Sequence, residues 1–72
     1  MINKTMELRL KTTINFMKEN KIKRVKFTDD LVLSYDFERE EHSIWKGYMI
    51  RKGVVHRDLD TFILKTCKWL EI

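Results

Sequence analysis

The chain has 72 residues, of which 43% are hydrophobic and 36% are charged, and one of them is cysteine. This length fits one domain spanning residues 1–72, the hydrophobic content argues against disorder, and a single cysteine excludes an internal disulfide. The sequence contains no apolar run near the ~18 residues of a membrane span and no signal-peptide pattern. A free thiol fits a reducing compartment, so we expect a cytoplasmic protein without a membrane partner.

Charge is distributed unevenly along the chain, although the formal net charge is only +4. Residues 29–41 hold six acidic side chains and one basic side chain, so this segment carries −5 and the other 59 residues carry +9. A basic segment, residues 21–26, comes shortly before it. We therefore expect a bipolar molecule rather than a uniformly basic one.

An amphipathic helix is predicted over residues 3–20. Asn3 or Thr5 can cap its start, and Asn20 can adopt the left-handed conformation that ends a helix. An arc of about 160° on the helical wheel is mainly apolar and is expected to face the core. Its members are Ile2, Met6, Leu10, Thr13, Ile14, Phe16 and Met17. Leu8 falls on the opposite, polar side.

Residues 23–37 alternate between apolar and polar side chains, which predicts two antiparallel strands. A three-residue loop at 28–30 pairs Phe27 with Leu31 and keeps the apolar side chains of both strands on one face. A two-residue loop would instead set lysine opposite leucine. We therefore expect the three-residue loop, with Asp30 in its left-handed position.

The next connection is predicted at residues 38–43, and a third strand at residues 44–51. Both faces of this strand carry apolar groups, so it is expected to be central or to lie under another chain. Ile44, Tyr48 and Ile50 share one face with Lys46, while Trp45 and Met49 share the other with Gly47. Residues 51–53 resemble a three-residue hairpin loop ending in glycine, and residues 54–55 are a short fourth strand or a lead-in to the next helix.

A second helix is predicted over residues 58–70, with Asp58 or Asp60 as its cap. Its apolar stripe consists of Leu59, Phe62, Ile63, Thr66, Cys67, Trp69 and Leu70. Two helices packed on one face of a three- or four-stranded antiparallel meander would bury all these stripes together. We therefore predict an α+β fold with the order α-β-β-β-α.

A set of basic side chains is a candidate patch for neutralising the phosphates of a nucleic acid. It consists of Lys21, Arg24, Lys26, Lys46, Arg51, Lys52 and Arg57. Arg24 and Lys26 are expected to point away from the helices, and Trp45 and Tyr48 are nearby rings on which bases could stack. The alternative is that these side chains only solvate the outer face of the sheet and block its edge against pairing.

A set of acidic side chains is a candidate surface for a protein partner. It consists of Asp29, Asp30, Asp36, Glu38, Glu40 and Glu41. Its first two and last three members flank the second strand and lie roughly 20 Å apart, too far for a paired-carboxylate active site. A row of carboxylates can mimic phosphates or dock on a basic groove. The alternative is that they are solvated turns, with opposite charges on adjacent strands attracting one another.

Side chains that could support catalysis are few, namely His42, His56, Asp58, Asp60 and Cys67. No catalytic motif accompanies them, and one cysteine with two histidines is too small a set for zinc without further ligands. Cys67 lies in the apolar stripe of the second helix, where a buried thiol is inert. We therefore predict no enzymatic activity, no cofactor and no metal.

Several apolar side chains fall outside the predicted core, including Leu8, Leu64, Ile72 and, on the third strand, Trp45, Tyr48 and Met49. Apolar patches of this kind usually mark a protein contact. We predict a stoichiometric protein-binding regulator or inhibitor that acts on nucleic-acid-handling machinery. The short chain, rich in lysine and isoleucine, suits a phage or mobile-element protein. The alternatives are direct nucleic-acid binding and a homodimeric structural protein paired through the third strand.

Overall fold

The structure, a computed structural model, describes residues 4–49 and 51–71. Its elements are α1 Lys4–Glu19, β1 Arg24–Lys26, β2 Leu31–Asp36, β3 Glu41–Lys46, β4 Val54–His56 and α2 Leu59–Leu70. The strands form one antiparallel sheet in the order β1-β2-β3-β4, which confirms the α+β prediction with four strands. Four positions used in the predictions, Ile2, Asn3, Ile50 and Ile72, lie outside the described residues. No helix in the described ranges is both long enough and apolar enough to span a membrane.

Both helices pack on the same face of the sheet, where their apolar side chains meet those of the strands. The buried core consists of Leu10, Ile14, Met17, Phe27, Leu31, Leu33, Ile44, Val54, Phe62, Ile63 and Cys67. Helix α1 packs over β2, and α2 packs over β3 and β4. The other face of the sheet is left open by the helices, and Arg24, Lys26 and Asp36 are exposed, as predicted.

The β1–β2 hairpin has the predicted register. Val25 pairs with Leu33, and the Phe27 N–H donates to the Leu31 carbonyl at 2.8 Å. The loop therefore has three residues, and the apolar side chains of both strands share the covered face. Asp30, however, does not take the left-handed conformation, because only Lys21 and Glu40 have positive φ among the described non-glycine residues.

Strand β3 differs from the prediction at both ends. It spans Glu41–Lys46 rather than residues 44–51, so the predicted connection at 38–43 is wrong. The strand lies between β2 and β4, and both of its edges are therefore paired within the chain. Strand β3 therefore offers no free edge to a second copy, and the homodimeric alternative stays a prediction that would have to use another surface.

The turn before β3 is short because two features tighten it. Glu40 adopts a positive φ of 55°, and Asp36 Oδ1 accepts hydrogen bonds from the N–H groups of Glu38 at 2.9 Å and Arg39 at 3.1 Å. A carboxylate that satisfies backbone N–H groups in this way replaces the ladder bonds missing in the turn. Residues 37–40 are then sufficient to reverse the chain.

The connection between β3 and β4 is longer than the predicted three-residue hairpin loop, because it extends over residues 47–53. Gly53 does not have the positive φ that such a loop requires. Its role is steric, since a Cβ at this position would lie 2.6 Å from Cε2 and from Cη2 of Trp69. Gly53 therefore leaves room for the indole ring of α2.

The left-handed residue that follows helix α1 lies one position later than predicted, although the helix itself ends at Glu19. Lys21, not Asn20, has the left-handed conformation, with φ 54°. The Ile22 N–H donates to the Met17 carbonyl at 2.8 Å, and the Lys21 N–H donates to the Lys18 carbonyl at 3.4 Å. These two bonds form a Schellman motif, in which glycine is the preferred residue at the left-handed position.

Replacing Lys21 by glycine is therefore expected to raise the free energy of unfolding by about 1 kcal/mol, because glycine adopts this conformation without strain. Urea unfolding followed by circular dichroism measures the change. Lys11→Gly, in the interior of α1, is the matched control and is expected to lower stability by a similar amount. A Lys21→Gly variant less stable than the wild type would contradict the assignment.

Helix α2 begins as predicted and α1 packs almost as predicted. Asp58 caps α2, and its Oδ2 accepts hydrogen bonds from the Thr61 N–H at 2.9 Å and the Thr61 hydroxyl at 2.7 Å. In α1, Leu8 is exposed as expected. Phe16, however, was predicted to face the core and is 54% exposed. It lies at the margin of the apolar arc, on the flank of α1 rather than beneath it.

Candidate functional site

The open face of the sheet has charged side chains at its margins and mainly uncharged side chains between them. At its centre, Ser34 on β2 and Ser43 on β3 are cross-strand partners whose hydroxyl oxygens lie 2.8 Å apart. Val32 pairs with Trp45 towards one end of the sheet, and Asp36 pairs with Glu41 at the other. Val55 lies beside Ser43 on β4. The open face therefore offers apolar contact area flanked by charge.

The positive corner of this face is built around Trp45. Arg24 and Lys26 lie on the edge strand β1, and Cζ of Arg24 is 5.6 Å from the centre of the Trp45 ring. A guanidinium in this position is attracted by the negative face of the ring. The half-buried indole is thus partly covered by an arginine that a negatively charged ligand could also reach.

One end of the sheet presents the candidate apolar residues. The Gly47 N–H donates to the Asp30 carbonyl at 2.7 Å, which joins the β1–β2 loop to the residues after β3. The Met49 N–H donates to the Lys46 carbonyl at 2.9 Å, closing a turn that holds Tyr48 78% exposed. Tyr48 and Met49 were predicted on strand three and lie instead in this turn. We call Asp29, Asp30, Trp45, Tyr48 and Met49 the aromatic end.

The opposite end of the sheet presents the other carboxylates. We call Asp36, Glu38, Glu40 and Glu41 the acidic turn. Hydrogen bonds from the Arg39 and Glu38 N–H groups hold the pKa of Asp36 below its usual value, with the Arg39 and Lys52 charges also contributing. Asp36 is therefore ionised at neutral pH. The predicted acidic set is thus divided between two ends of the molecule.

The seven basic candidates are not brought together into one patch. Lys46 lies on the covered face, with Nζ 5.9 Å from the centre of the Trp69 ring. Lys21 ends α1, and Arg57 follows β4, at the edge of the sheet opposite β1. Arg51 and Lys52 lie in the connection between β3 and β4. Only Arg24 and Lys26 are neighbours on one face.

A histidine lies at the centre of the covered face. His42 is 2% exposed, and its ring contacts the rings of Tyr35 and Phe62 at centre-to-centre distances of 5.0 and 5.4 Å. Nδ1 is 3.0 Å from the His56 carbonyl, while Nε2 has no hydrogen-bond partner among the described residues. Burial lowers the pKa of His42, so the ring is neutral in the folded chain. This is the geometry of a core residue. The buried Thr66 hydroxyl of α2 is likewise without a hydrogen-bond partner among the described residues.

This burial makes stability depend on pH. The unfolded chain binds a proton at His42 with an ordinary pKa near 6.5, whereas the folded chain binds it only at lower pH. The free energy of unfolding is therefore expected to decrease as the pH falls from about 6.5 towards the folded pKa. A His42→Phe variant keeps a ring in the stack but cannot titrate, so this part of the decrease should disappear. Chemical unfolding at pH 7.5 and 5.5 measures it, and equal pH dependence in both proteins would contradict the prediction.

The remaining reactive side chains form no recognisable centre. Burial raises the pKa of the Cys67 thiol, so the reactive thiolate is scarce at neutral pH. No three histidine, cysteine, aspartate or glutamate side chains within the described ranges are grouped so that they could hold a metal ion.

Comparison with protein-family models, with curated proteins and with solved structures gave no significant match.

Proposed function

We propose that the chain is a stoichiometric protein-binding regulator that acts through contact rather than through chemistry. The observation that carries this proposal is the aromatic end, where Tyr48 is 78% exposed on a turn held by backbone hydrogen bonds. Tyrosine is enriched among the residues that dominate protein interfaces, because it buries a large ring and loses little side-chain freedom. Tyr48 is thus presented as an anchor.

The surroundings of Tyr48 support a protein rather than a nucleic acid as the partner. Met49 and Trp45 extend the apolar area, and methionine adapts its shape to a partner surface. Asp29 and Asp30 lie in the adjoining loop, where carboxylates would repel phosphates. An apolar centre with charges of both signs at its rim is the usual composition of a protein interface.

The acidic turn indicates what kind of partner protein the chain could bind. Glu38 and Glu40 are exposed, and Glu41 and Asp36 are cross-strand partners, so several carboxylates project from a single tight turn. Such a cluster attracts a basic surface and speeds the encounter with it. Nucleic-acid-handling proteins carry such surfaces, and we propose one as the target of a regulator that works in the cytoplasm, as its free cysteine would allow.

Capture of partners on the immobilised chain tests this proposal. A lysate of the cell that encodes the chain is passed over the wild type, Tyr48→Ala and Leu64→Ala, the last being an exposed apolar control on α2. A protein retained in equimolar amount by the wild type and Leu64→Ala but lost with Tyr48→Ala is the expected result. Replacing Glu38, Glu40 and Glu41 by glutamine should weaken retention, and replacing them by lysine should abolish it. Retention of the same protein in equal amount by all these variants would overturn the proposal.

Direct binding of nucleic acid is the second candidate, because Arg24, Lys26 and Trp45 combine two cations with a ring on the open face. Single strands bind to such combinations by phosphate contact and by base stacking. Titration with a mixed-sequence oligonucleotide at 50 and 200 mM salt tests it. Affinity that falls steeply with salt and is lost in Arg24→Ala would favour this function over protein binding. No binding at the lower salt concentration would remove it.

A further inference from the structure

The outer edge of β1 is a row of backbone groups that the sheet does not use. Alternate residues along β1 and its two flanking positions bond to β2. The Phe27 N–H donates to the Leu31 carbonyl, and the Lys23 carbonyl accepts from the Tyr35 N–H. Lys23, Val25 and Phe27 therefore point their backbone groups at β2. The N–H and C=O groups of Arg24 and Lys26 point the opposite way, and β1 is the first strand of the sheet.

Side chains on both sides of this edge restrict what could pair with it. On the open face stand the charged groups of Arg24 and Lys26, both exposed. A strand added here would place alternate side chains directly beside them, at the distance where opposite charges attract and like charges repel. The open-face positions of an added strand are therefore expected to be acidic.

The covered side of the same edge carries Val25 and Phe27, with the exposed Lys23 at its start. Cζ of Arg9 lies 4.8 Å from the centre of the Phe27 ring, so the Arg9 flank of α1 reaches the residue that follows β1. Phe16 follows Arg9 by seven residues, about two turns, so it lies on the same flank and about 10 Å further along the helix. That distance equals about three strand residues, so we expect the exposed Phe16 ring to lie near the level of Arg24, at the start of β1.

We infer that the edge of β1 binds an extended segment of another protein in which acidic and apolar residues alternate. The segment adds a fifth strand, its backbone pairs with Arg24 and Lys26, its carboxylates face the two cations, and its apolar side chains cover Phe16 and Val25. A second copy of the chain is a poor occupant, because β1 against β1 opposes like charges. This surface uses the outward backbone groups of β1 and not the Tyr48 turn, so the inference goes beyond the proposed function, although Arg24 also lies over Trp45 of the aromatic end.

The probe is a capped synthetic peptide, Thr-Val-Glu-Val-Glu-Val-Thr, titrated into the chain and followed by amide NMR signals and hydrogen exchange. The expected result is saturable binding that slows exchange of the Arg24 and Lys26 amides about tenfold or more. The analogue with lysine in place of glutamate should bind about tenfold more weakly. Exchange unchanged at a peptide concentration that saturates other signals would overturn the inference.

Three variants separate backbone pairing from charge. Lys26→Pro removes an outward N–H and leaves the bonds to β2 intact, as proline does on an edge strand, and should reduce affinity about tenfold. Arg24→Glu with Lys26→Glu should reverse the preference between the glutamate and lysine peptides. Lys65→Glu with Lys68→Glu changes the net charge equally on α2 and should leave the preference unchanged.

Further measurements distinguish the β1 edge from the aromatic end, and a protein partner from a nucleic acid. Tyr48→Ala should bind the peptide as the wild type does, so loss of partner capture with intact peptide binding would separate the aromatic end from the β1 edge. An oligonucleotide that protects the Arg24 and Lys26 amides while the glutamate peptide does not would overturn the inference. Equal binding of the glutamate and lysine peptides would also overturn it.

Discussion

The Phe62→Ala variant is expected to lose about 3–5 kcal/mol of unfolding free energy, the range for removing a buried phenylalanine ring. Phe62 is 0% exposed and stacks on His42 with ring centres 5.4 Å apart. Its loss would open a cavity between α2 and the sheet. A domain of 72 residues has only about 4–11 kcal/mol of stability in total, so much of the variant should be unfolded at moderate temperature.

Thermal and urea unfolding measure this loss, with Leu64→Ala as the matched control. Leu64 lies on the same helix but is 40% exposed, and its truncation should change stability by about 0.5 kcal/mol or less. The contrast between the two variants tests which side of α2 faces the sheet. Similar losses in both would show that α2 is rotated from the position described above.

The Gly53→Ala variant is expected to be destabilised by about 2 kcal/mol, because a methyl group must displace a rigid ring from a packed site. The added Cβ would lie 2.6 Å from two carbon atoms of Trp69 and closer still to Cζ2. The ring cannot yield freely, since it packs against the core and has Lys46 Nζ 5.9 Å from its centre. Displacing it would loosen the contact of α2 with the β3–β4 connection.

A double-mutant cycle with Trp69→Leu separates this clash from other effects of the glycine. In the Trp69→Leu background, Gly53→Ala should cost about 0.5 kcal/mol or less, so the two changes are expected to be strongly non-additive. Gly47→Ala is the control, because its Cβ would meet only the Asp30 carbonyl oxygen at an ordinary 3.8 Å. An equal cost of Gly53→Ala in both backgrounds would contradict the steric explanation.

The features that could be predicted from the sequence are those determined by residues that lie close together in the chain. The register of the β1–β2 hairpin follows from alternation alone, because a shift by one residue would set Arg24 or Lys26, instead of Val25, beside Leu33. The start of α2 follows from Asp58, whose side chain can satisfy a free N–H group. In both cases the information is local.

The features that could not be predicted depend on tertiary contact. Strand β3 begins within a run of acidic residues that resembles a loop, and pairing with β2 draws Glu41 into the sheet regardless of its low strand propensity. Gly53 resembles a turn glycine, although its role is set by Trp69, sixteen residues away in the chain. Phe16 looked like a core residue because a helical wheel does not reveal how much of the arc the sheet can cover.

The candidate surfaces also combine features that the sequence predicts with features that depend on tertiary contact. The exposure of Arg24 and Lys26 on the open face was predictable from the register. The separation of the acidic turn from Asp29 and Asp30 followed from strand length. The meeting of Asp30 with Gly47, which creates the aromatic end, depends on a hydrogen bond between two loops and has no signal in the sequence.

Residue-resolved amide exchange in the unliganded chain is the most direct check of how β1 is oriented, on which the β1 edge surface and the position of Arg24 over Trp45 both rely. Slow exchange at Val25 and Phe27, together with nearly unprotected exchange at Arg24 and Lys26, is the outcome we expect. The reverse pattern, with the two basic residues protected, would mean that the strand is turned over, and the described partition of charge between the two sides of the molecule would be incorrect.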